Sequence, residues 1–447
     1  MNVVSPTHYT VHETDVALAG NWTVVALGPI DHGGVAGIRR ALRTAMSIGP
    51  AARLGLLPDR TSRRWRYDPE RLLRAVRQDS PITEDEYDSA MADVLSTHDQ
   101  AEPISIVVRG DHVVFYMDHG IGDGQMIINI SHTLADVTAR HGIVPQWATA
   151  ARTDRPLAVA TLRCFGSDPR RLLRLLRSRL RPPARELDLR TKGAATVDGS
   201  TNRLVASPSI TSSVCVVADA ATIECTHELT RWRDAHRPGQ SISILFFAAL
   251  DAALRSQGVV VDDVAKVLFD VRRYLPAHLS TLANLSAGID VALPDTTDTA
   301  MLSRRWKGII DSGHPVANLV LVSLHSKLGR LRSSSTPETP PPASDTVRLA
   351  LSDIGRHPRL NDIGFIGEST SAYRAMVAPA SHGHVTLTTA RLRNSIRVTA
   401  SFHAEFVDAD TIRRALRLAC STPIELLAPG SADSPESDRT PTIDSTV

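Results

Sequence analysis

Cysteine is scarce. Four residues, Cys164, Cys215, Cys225 and Cys420, are too few and too scattered along 447 positions to form a disulfide framework. None belongs to a C-x-x-C pair, which removes the usual ligand spacing of a structural zinc site. Lysine is equally rare: Lys192, Lys266, Lys307 and Lys327 stand against 46 arginines, a bias typical of GC-rich genomes that carries no chemistry. Excess charge is also missing. The formal net charge is +2, so bulk charge gives no ground for a nucleic-acid partner or a membrane surface. No apolar run approaches the roughly 18 residues that span a bilayer. The longest, from Ile242 to Leu254, carries Ser243 and Asp251 and reads as a buried helix. The first residues, Met1 to Tyr9, lack the basic and then apolar pattern of a signal peptide. The expectation is a cytoplasmic protein with no membrane span and no nucleic-acid partner.

What is present suffices for two cores. Hydrophobic residues make up 42% of the chain, enough to keep its body from disorder. Its length exceeds the usual span of one domain, so two lobes of roughly 200 residues each are expected. Two stretches look like breaks. Arg181-Pro182-Pro183-Ala184-Arg185 follows an Arg/Leu-rich segment, and consecutive prolines end helices and stiffen linkers. Ser333-Ser334-Ser335 through Pro340-Pro341-Pro342 reads as a surface loop. The expected division is an N-terminal lobe over 1–185, a C-terminal lobe over 186–428 and a disordered polar tail over 429–447. No internal repeat of fixed period is visible.

Short β-branched or aromatic runs over 104–108 and 112–117 flank Arg109-Gly110-Asp111 and predict a hairpin. Segments 214–217, 267–269, 385–389 and 395–402 also read as strands. Helical periodicity falls on 70–77, 125–139, 170–180, 243–255 and 410–419. Strands and helices mix in both halves, which predicts two α/β lobes of similar make-up. The segment with Arg170, Arg171, Arg174, Arg177, Arg179 and Arg181 interleaved with leucines has two readings. It is either an amphipathic surface helix or a docking face for an acidic or phosphate-bearing partner.

Chemistry concentrates in one segment, Val113-Val114-Phe115-Tyr116-Met117-Asp118-His119-Gly120-Ile121-Gly122-Asp123-Gly124-Gln125. An apolar strand ends on His119, and a glycine-rich loop leads to a helix. The glycines leave room for a substrate to approach the imidazole. Asp123 could hold the loop, or simply cap the helix, and a lone histidine in such a loop is most often a surface or satisfied core residue. The glycine spacing is not the G-x-G-x-x-G of a dinucleotide site. A metal site from Asp118, His119 and Asp123 lacks a second histidine at ligand spacing, so no metal is expected. Gly367-Glu368-Ser369-Thr370-Ser371 lacks the final glycine of a nucleophile elbow, and no cysteine stands in a nucleophile setting.

The string H-x-x-x-D-G after an apolar strand resembles the signature of the condensation-domain, or chloramphenicol-acetyltransferase-like, acyltransferase superfamily. Three further segments fall in the order that superfamily shows. Asp270-Val271-Arg272 with Asn284 resembles its D-L-R…N segment. Leu351-Ser352-Asp353-Ile354-Gly355 resembles the S-N-x-G segment of acyltransferase branches, including the polyketide-associated one. Residues 385–402 followed by Val407-Asp408-Ala409 resemble its last strand pair and helix. The resemblance covers about 10–425. It implies an α/β fold of two chloramphenicol-acetyltransferase-like lobes in a V-shaped pseudo-dimer with a channel between them. It makes His119 the catalytic residue. Asp123, Gly124 and Arg272 become structural at the active site, with Gly124 allowing a tight turn and Arg272 pairing with Asp123 across the lobes. Asn284, Ser352 and Gly355 become candidates for the substrate channel.

The implied function is transfer of an acyl group from an acyl-CoA or acyl-carrier-protein thioester to a hydroxyl or amine of a small-molecule acceptor, in specialised-metabolite or lipid tailoring. No cofactor is implied beyond the thioester substrate, and a monomer is expected. Two features depart from the pattern. Peptide-forming condensation domains usually carry two adjacent histidines, and Asp118 replaces the first here. The D-F-G-W-G motif of plant acyltransferases is echoed only by Asp362-Ile363-Gly364-Phe365-Ile366-Gly367. A free-standing amide-forming condensation enzyme on carrier-bound substrates and a catalytically silent carrier-binding scaffold are the alternatives.

Overall fold

The computed structural model of the chain describes residues 8–99, 102–180, 214–293, 295–331, 346–367, 372–379 and 383–428. The expected hairpin is present as strands β6 (Ile104–Arg109) and β7 (His112–Asp118), turned on Gly110 at φ +71°. β7 is buried along its whole length because it is covered on both faces. Val113, Phe115 and Met117 share a core with Ile127 and Ile130 of the helix Gly124–Ala135. Val114 and Tyr116 pack with Tyr87, Met91 and Val94 of the helix Tyr87–Thr97. Two-sided burial explains why this strand reads as a continuous apolar run rather than as an alternation.

β2 (Trp22–Gly28) lies antiparallel beside β7, and β5 (Val76–Asp79) lies parallel beside β6. A second sheet repeats this arrangement. There β11 (Arg348–Arg356) runs parallel to β13 (His384–Leu392), which forms a hairpin with β14 (Ser395–His403), and β8 (Val214–Ala220) closes the row antiparallel to β14. The order β5-β6-β7-β2 in one sheet thus matches β11-β13-β14-β8 in the other. In each, the hairpin's second strand feeds a helix, Gly124–Ala135 in one and Ala409–Ser421 in the other. These are two α/β lobes of one design. β9 (Val264–Asp270) and β10 (Ser286–Ala292) extend the second sheet to six strands. A small third sheet joins β1 (His8–Thr10), β4 (Arg64–Tyr67) and β3 (Leu56–Leu57).

The lobes exchange chain. β12 (Ala372–Val377) pairs antiparallel with β2 and completes the first, five-stranded sheet, and Leu360, Ile363 and Phe365 pack in the first lobe's core. In the other direction, Ala160 and Cys164 lie in the second lobe's core. No single cut therefore separates the lobes among the described residues. The boundary expected near 185, the Ser/Pro stretch 333–342 and the tail 429–447 lie outside the described residues.

Local competition explains the other differences. The helix expected over 70–77 stops at Arg74, because residues from Val76 pair with β6. The helix expected over 125–139 breaks at Asp136, whose carboxylate accepts the Thr138 N–H and caps the short helix Val137–Arg140. The helix expected over 243–255 is Ile242–Ser256, capped by Ser241, and that over 410–419 is capped by Asp408. The helix Arg170–Leu180 leaves Leu172 and Leu173 exposed and buries Leu175, and Arg174 bonds Asp168 at 2.8 Å. None of the helices in the described residues is long and apolar enough to cross a membrane.

Candidate active site

The loop after β7 is tied down before it meets the other lobe. His119 N–H donates to the Asn21 carbonyl at 2.8 Å. Asp118 accepts the Gly120 N–H on Oδ1 at 2.7 Å and the Gly20 N–H on Oδ2 at 2.8 Å. Asp118 thus buckles the loop to the turn before β2. Burial raises its carboxyl to about 7, against the pull of those two N–H donors.

The glycines here serve packing rather than substrate access, contrary to the reading of the loop. A Cβ on Gly120 would lie 2.9 Å from both Ala19 Cα and Trp65 Cη2, and one on Gly122 would lie 2.4 Å from Met126 Cβ. Gly124 differs. It opens the helix with φ outside the positive region, so no tight turn demands glycine there. A Cβ on it would meet only Ile354 Cγ1, at 4.0 Å. The open space in this segment therefore lies at Gly124, between the first lobe's helix and β11.

Asp123 closes the loop and joins the lobes. Its Oδ1 accepts the Gln125 N–H at 3.2 Å, capping the helix. Arg272, on the turn after β9, meets the same carboxylate with both arms, Nη1 to Oδ2 at 2.8 Å and Nη2 to Oδ1 at 3.0 Å. Leu285 N–H at 3.0 Å and Ser286 Oγ at 3.3 Å also donate to Oδ2. Arg272 Nη2 donates further to the Ala283 carbonyl at 2.8 Å. Asp123 is 3% exposed. Burial alone would raise its carboxyl, but Arg272 and the surrounding donors hold it below the usual carboxylate range.

Asn284 was expected beside a substrate channel. It is 1% exposed and bonded to the candidate base. Its Oδ1 lies 3.1 Å from His119 Nδ1, and its Nδ2 donates to the His119 carbonyl at 2.9 Å and to Asp15 Oδ1 at 3.0 Å. Sequence reading missed Asp15 and its partner Arg53, whose Nη2 lies 2.9 Å from Asp15 Oδ2 and donates to the Gly120 carbonyl at 3.1 Å. Nothing local marks them: Asp15 sits on the short helix Glu13–Leu18, 269 positions from Asn284.

Ser352 and Gly355 lie on β11, where a bulge between Asp353 and Gly355 shifts the register with β13. Gly355 has φ +63°, which favours glycine. This irregular stretch carries Ile354 to Gly124, and His357 Nε2 lies 3.2 Å from Gln125 Oε1. Ser352 and Gly355 thus belong to the strand that borders the site, without bonding to the His119 loop. Among the described residues, no group of three or more His, Cys, Asp or Glu side chains could hold a metal ion. Residues 368–371 of the Gly367–Ser371 segment lie outside the described residues.

Two α/β lobes of repeated design, joined where a strand-end histidine loop meets the arginine turn of the other lobe, define the chloramphenicol-acetyltransferase-like condensation fold. Solved structures that share it include a trichothecene 15-O-acetyltransferase of Fusarium sporotrichioides, at 10% identity and a TM-score of 0.54, covering 93% of this chain and 96% of that one. Polyketide synthase associated protein 5 of Mycobacterium tuberculosis matches at 15% identity and a TM-score of 0.51, covering 94% and 99%. The first condensation domain of the calcium-dependent antibiotic synthetase, in complex with a substrate analogue, matches at 16% identity and a TM-score of 0.51, covering 95% and 98%. At these identities the likeness shows the fold. No family model and no curated protein matches the sequence.

Two predictions follow from the loop. Gly122→Ala should destabilise the protein measurably in urea unfolding, because its Cβ would strike Met126 Cβ. Gly124→Ala should leave the unfolding midpoint unchanged or slightly raised; equal destabilisation by both changes would refute the distinction. For Asp118, the raised pKa means the folded state binds the proton more tightly than the unfolded chain. Its stabilising contribution is therefore complete below the ordinary value of 3.8 and lost as pH climbs to about 7. The melting temperature of the wild type relative to Asp118→Asn should fall over that window, and a gap independent of pH would contradict it.

Proposed function

We propose that the chain is an acyltransferase that moves an acyl group from a CoA or carrier-protein phosphopantetheine thioester to a hydroxyl or amine of a small-molecule acceptor, with His119 as general base. The observation that carries this reading is the state of the imidazole. It is half-buried at the junction of the lobes, and its Nδ1 is engaged by the Asn284 carbonyl oxygen. An oxygen that only accepts requires the proton on Nδ1, which leaves the Nε2 lone pair to take one.

In the proposed reaction, Nε2 accepts the proton of the acceptor O–H or N–H as that atom attacks the thioester carbonyl. The tetrahedral intermediate collapses, the C–S bond breaks, and the imidazolium returns the proton to the departing thiolate. The products are an ester or amide and a free thiol. Direct transfer needs no acyl-enzyme. Burial raises the thiols of Cys164, Cys215, Cys225 and Cys420 above their ordinary value, which disfavours a thiolate nucleophile. Asp123 and Arg272 support the base by holding its loop against the second lobe.

The test is thiol release from acyl-CoAs of graded length with mixed hydroxyl and amine acceptors, repeated with carrier-bound donors. Acceptor-dependent release should fall by roughly 10²- to 10⁴-fold in His119→Ala. Equal release from both proteins removes His119 as the base, and no transfer from either donor type overturns the reading. Asp123→Ala removes the cap and the two-armed partner of Arg272, leaving that guanidinium only Asp270, 3.3 Å from Nη1, as a counter-charge; breaking a buried pair typically costs about 3–5 kcal/mol. Its urea midpoint should drop along with its rate. An inactive variant of wild-type stability would instead give Asp123 a direct role in the chemistry.

A further inference from the structure

An amide can sit either way round, and here the surroundings decide. The nitrogen side of Asn284 faces three oxygens: Asp15 Oδ1 at 3.0 Å, the His119 carbonyl at 2.9 Å and the Gly120 carbonyl at 3.3 Å. The carbonyls only accept, and the carboxylate is an acceptor as well, so this side must be the NH₂. The carbonyl oxygen of the amide is thereby turned to His119 Nδ1.

Asp15 is held just as firmly. Its Oδ1 also accepts the backbone N–H of Asn284 at 2.8 Å. Its Oδ2 accepts the His12 N–H at 2.9 Å and faces Arg53 Nη2 at 2.9 Å. Asp15 is 0% exposed and Arg53 3%, so neither reaches substrate. Arg53 holds its backbone at φ 67°, an uncommon conformation for a residue other than glycine, and also bonds the Gly120 carbonyl.

We propose that Asp15, locked by Arg53, is a positioning residue that sets the tautomer of His119 through the Asn284 amide. The inference rests on reading His119 as the general base. A pair that is merely structural would stabilise the lobe junction without selecting which ring nitrogen carries the proton.

The test is Asp15→Asn in the full chain, read by ¹⁵N spectra of labelled histidine, with His119 assigned by difference against His119→Gln. In the variant, the charged Arg53 draws the new amide's oxygen. The amide's NH₂ then opposes both the N–H and the NH₂ of Asn284, so only the His119 and Gly120 carbonyls still hold the amide's orientation, and a share of the molecules turns it over and presents a donor to Nδ1. Wild type should show the Nδ1–H tautomer. The variant should shift towards Nε2–H and lose kcat in proportion to the share turned over, with the donor KM little changed. Wild-type tautomer with kcat within about two-fold overturns the proposal. A shifted tautomer with unchanged kcat supports the relay and instead removes His119 as the base. Should Asp15→Asn not fold, Asn284→Ala breaks the relay at its middle while Asp15 and Arg53 keep each other, and retention of Nδ1–H there overturns the proposal as well.

Discussion

The site depends on one buried ion pair. Asp123 and Arg272 come from different lobes, meet in a two-armed contact, and are further bonded to the Leu285 N–H and the Ala283 carbonyl. Desolvating two charges is costly, and the cost is met only where geometry is good and the remaining donors and acceptors are satisfied. Both conditions hold here. The same carboxylate caps the helix after the His119 loop, so the contact that joins the lobes also sets where the imidazole stands.

The repeated design of the lobes shows how much this junction matters. In the second lobe β14 ends on a histidine, His403, where His119 directly follows β7, and an aspartate, Asp408, also caps the helix that follows. The local pattern of strand, loop, capping aspartate and helix therefore occurs twice. The surroundings differ: Asp408 is exposed and caps only its own helix through Thr411, whereas Asp123 is buried and clamped by Arg272. His403 is 2% exposed within its sheet, while His119 is half-buried at the junction. Two similar backbones thus hold different chemistry because only one faces a cationic turn from the other lobe.

Around that pair, the site is an accumulation of acceptors and donors with fixed partners. Asp118 ties the loop to Gly20, Asn284 ties the ring to Asp15, and Arg53 ties Asp15 to the Gly120 carbonyl. Crowded Gly120 and Gly122 let these elements approach, and Gly124 leaves space facing Ile354. The result is an imidazole whose Nδ1 side has a fixed partner, the preorganisation that the proposed proton transfer would use.

Sequence alone determined what depends on neighbours along the chain. The hairpin over 104–117 was legible because β-branched runs flank a glycine turn, and the Asp123 cap because a short polar side chain reaches the next N–H groups. His119, Asp123 and Arg272 were legible through a pattern of residues whose order is preserved. Tertiary structure alone decided what depends on residues far apart. Pairing with β6 turned Val76–Asp79 into a strand, and β12 crossed back to complete the first sheet. Asn284 packed against the imidazole, and Asp15 and Arg53 were brought to it only there. A hydrogen bond across 269 positions leaves no local periodicity or composition to read. Its energy depends on burial and on exact partners, and both exist only once the two lobes have closed on each other.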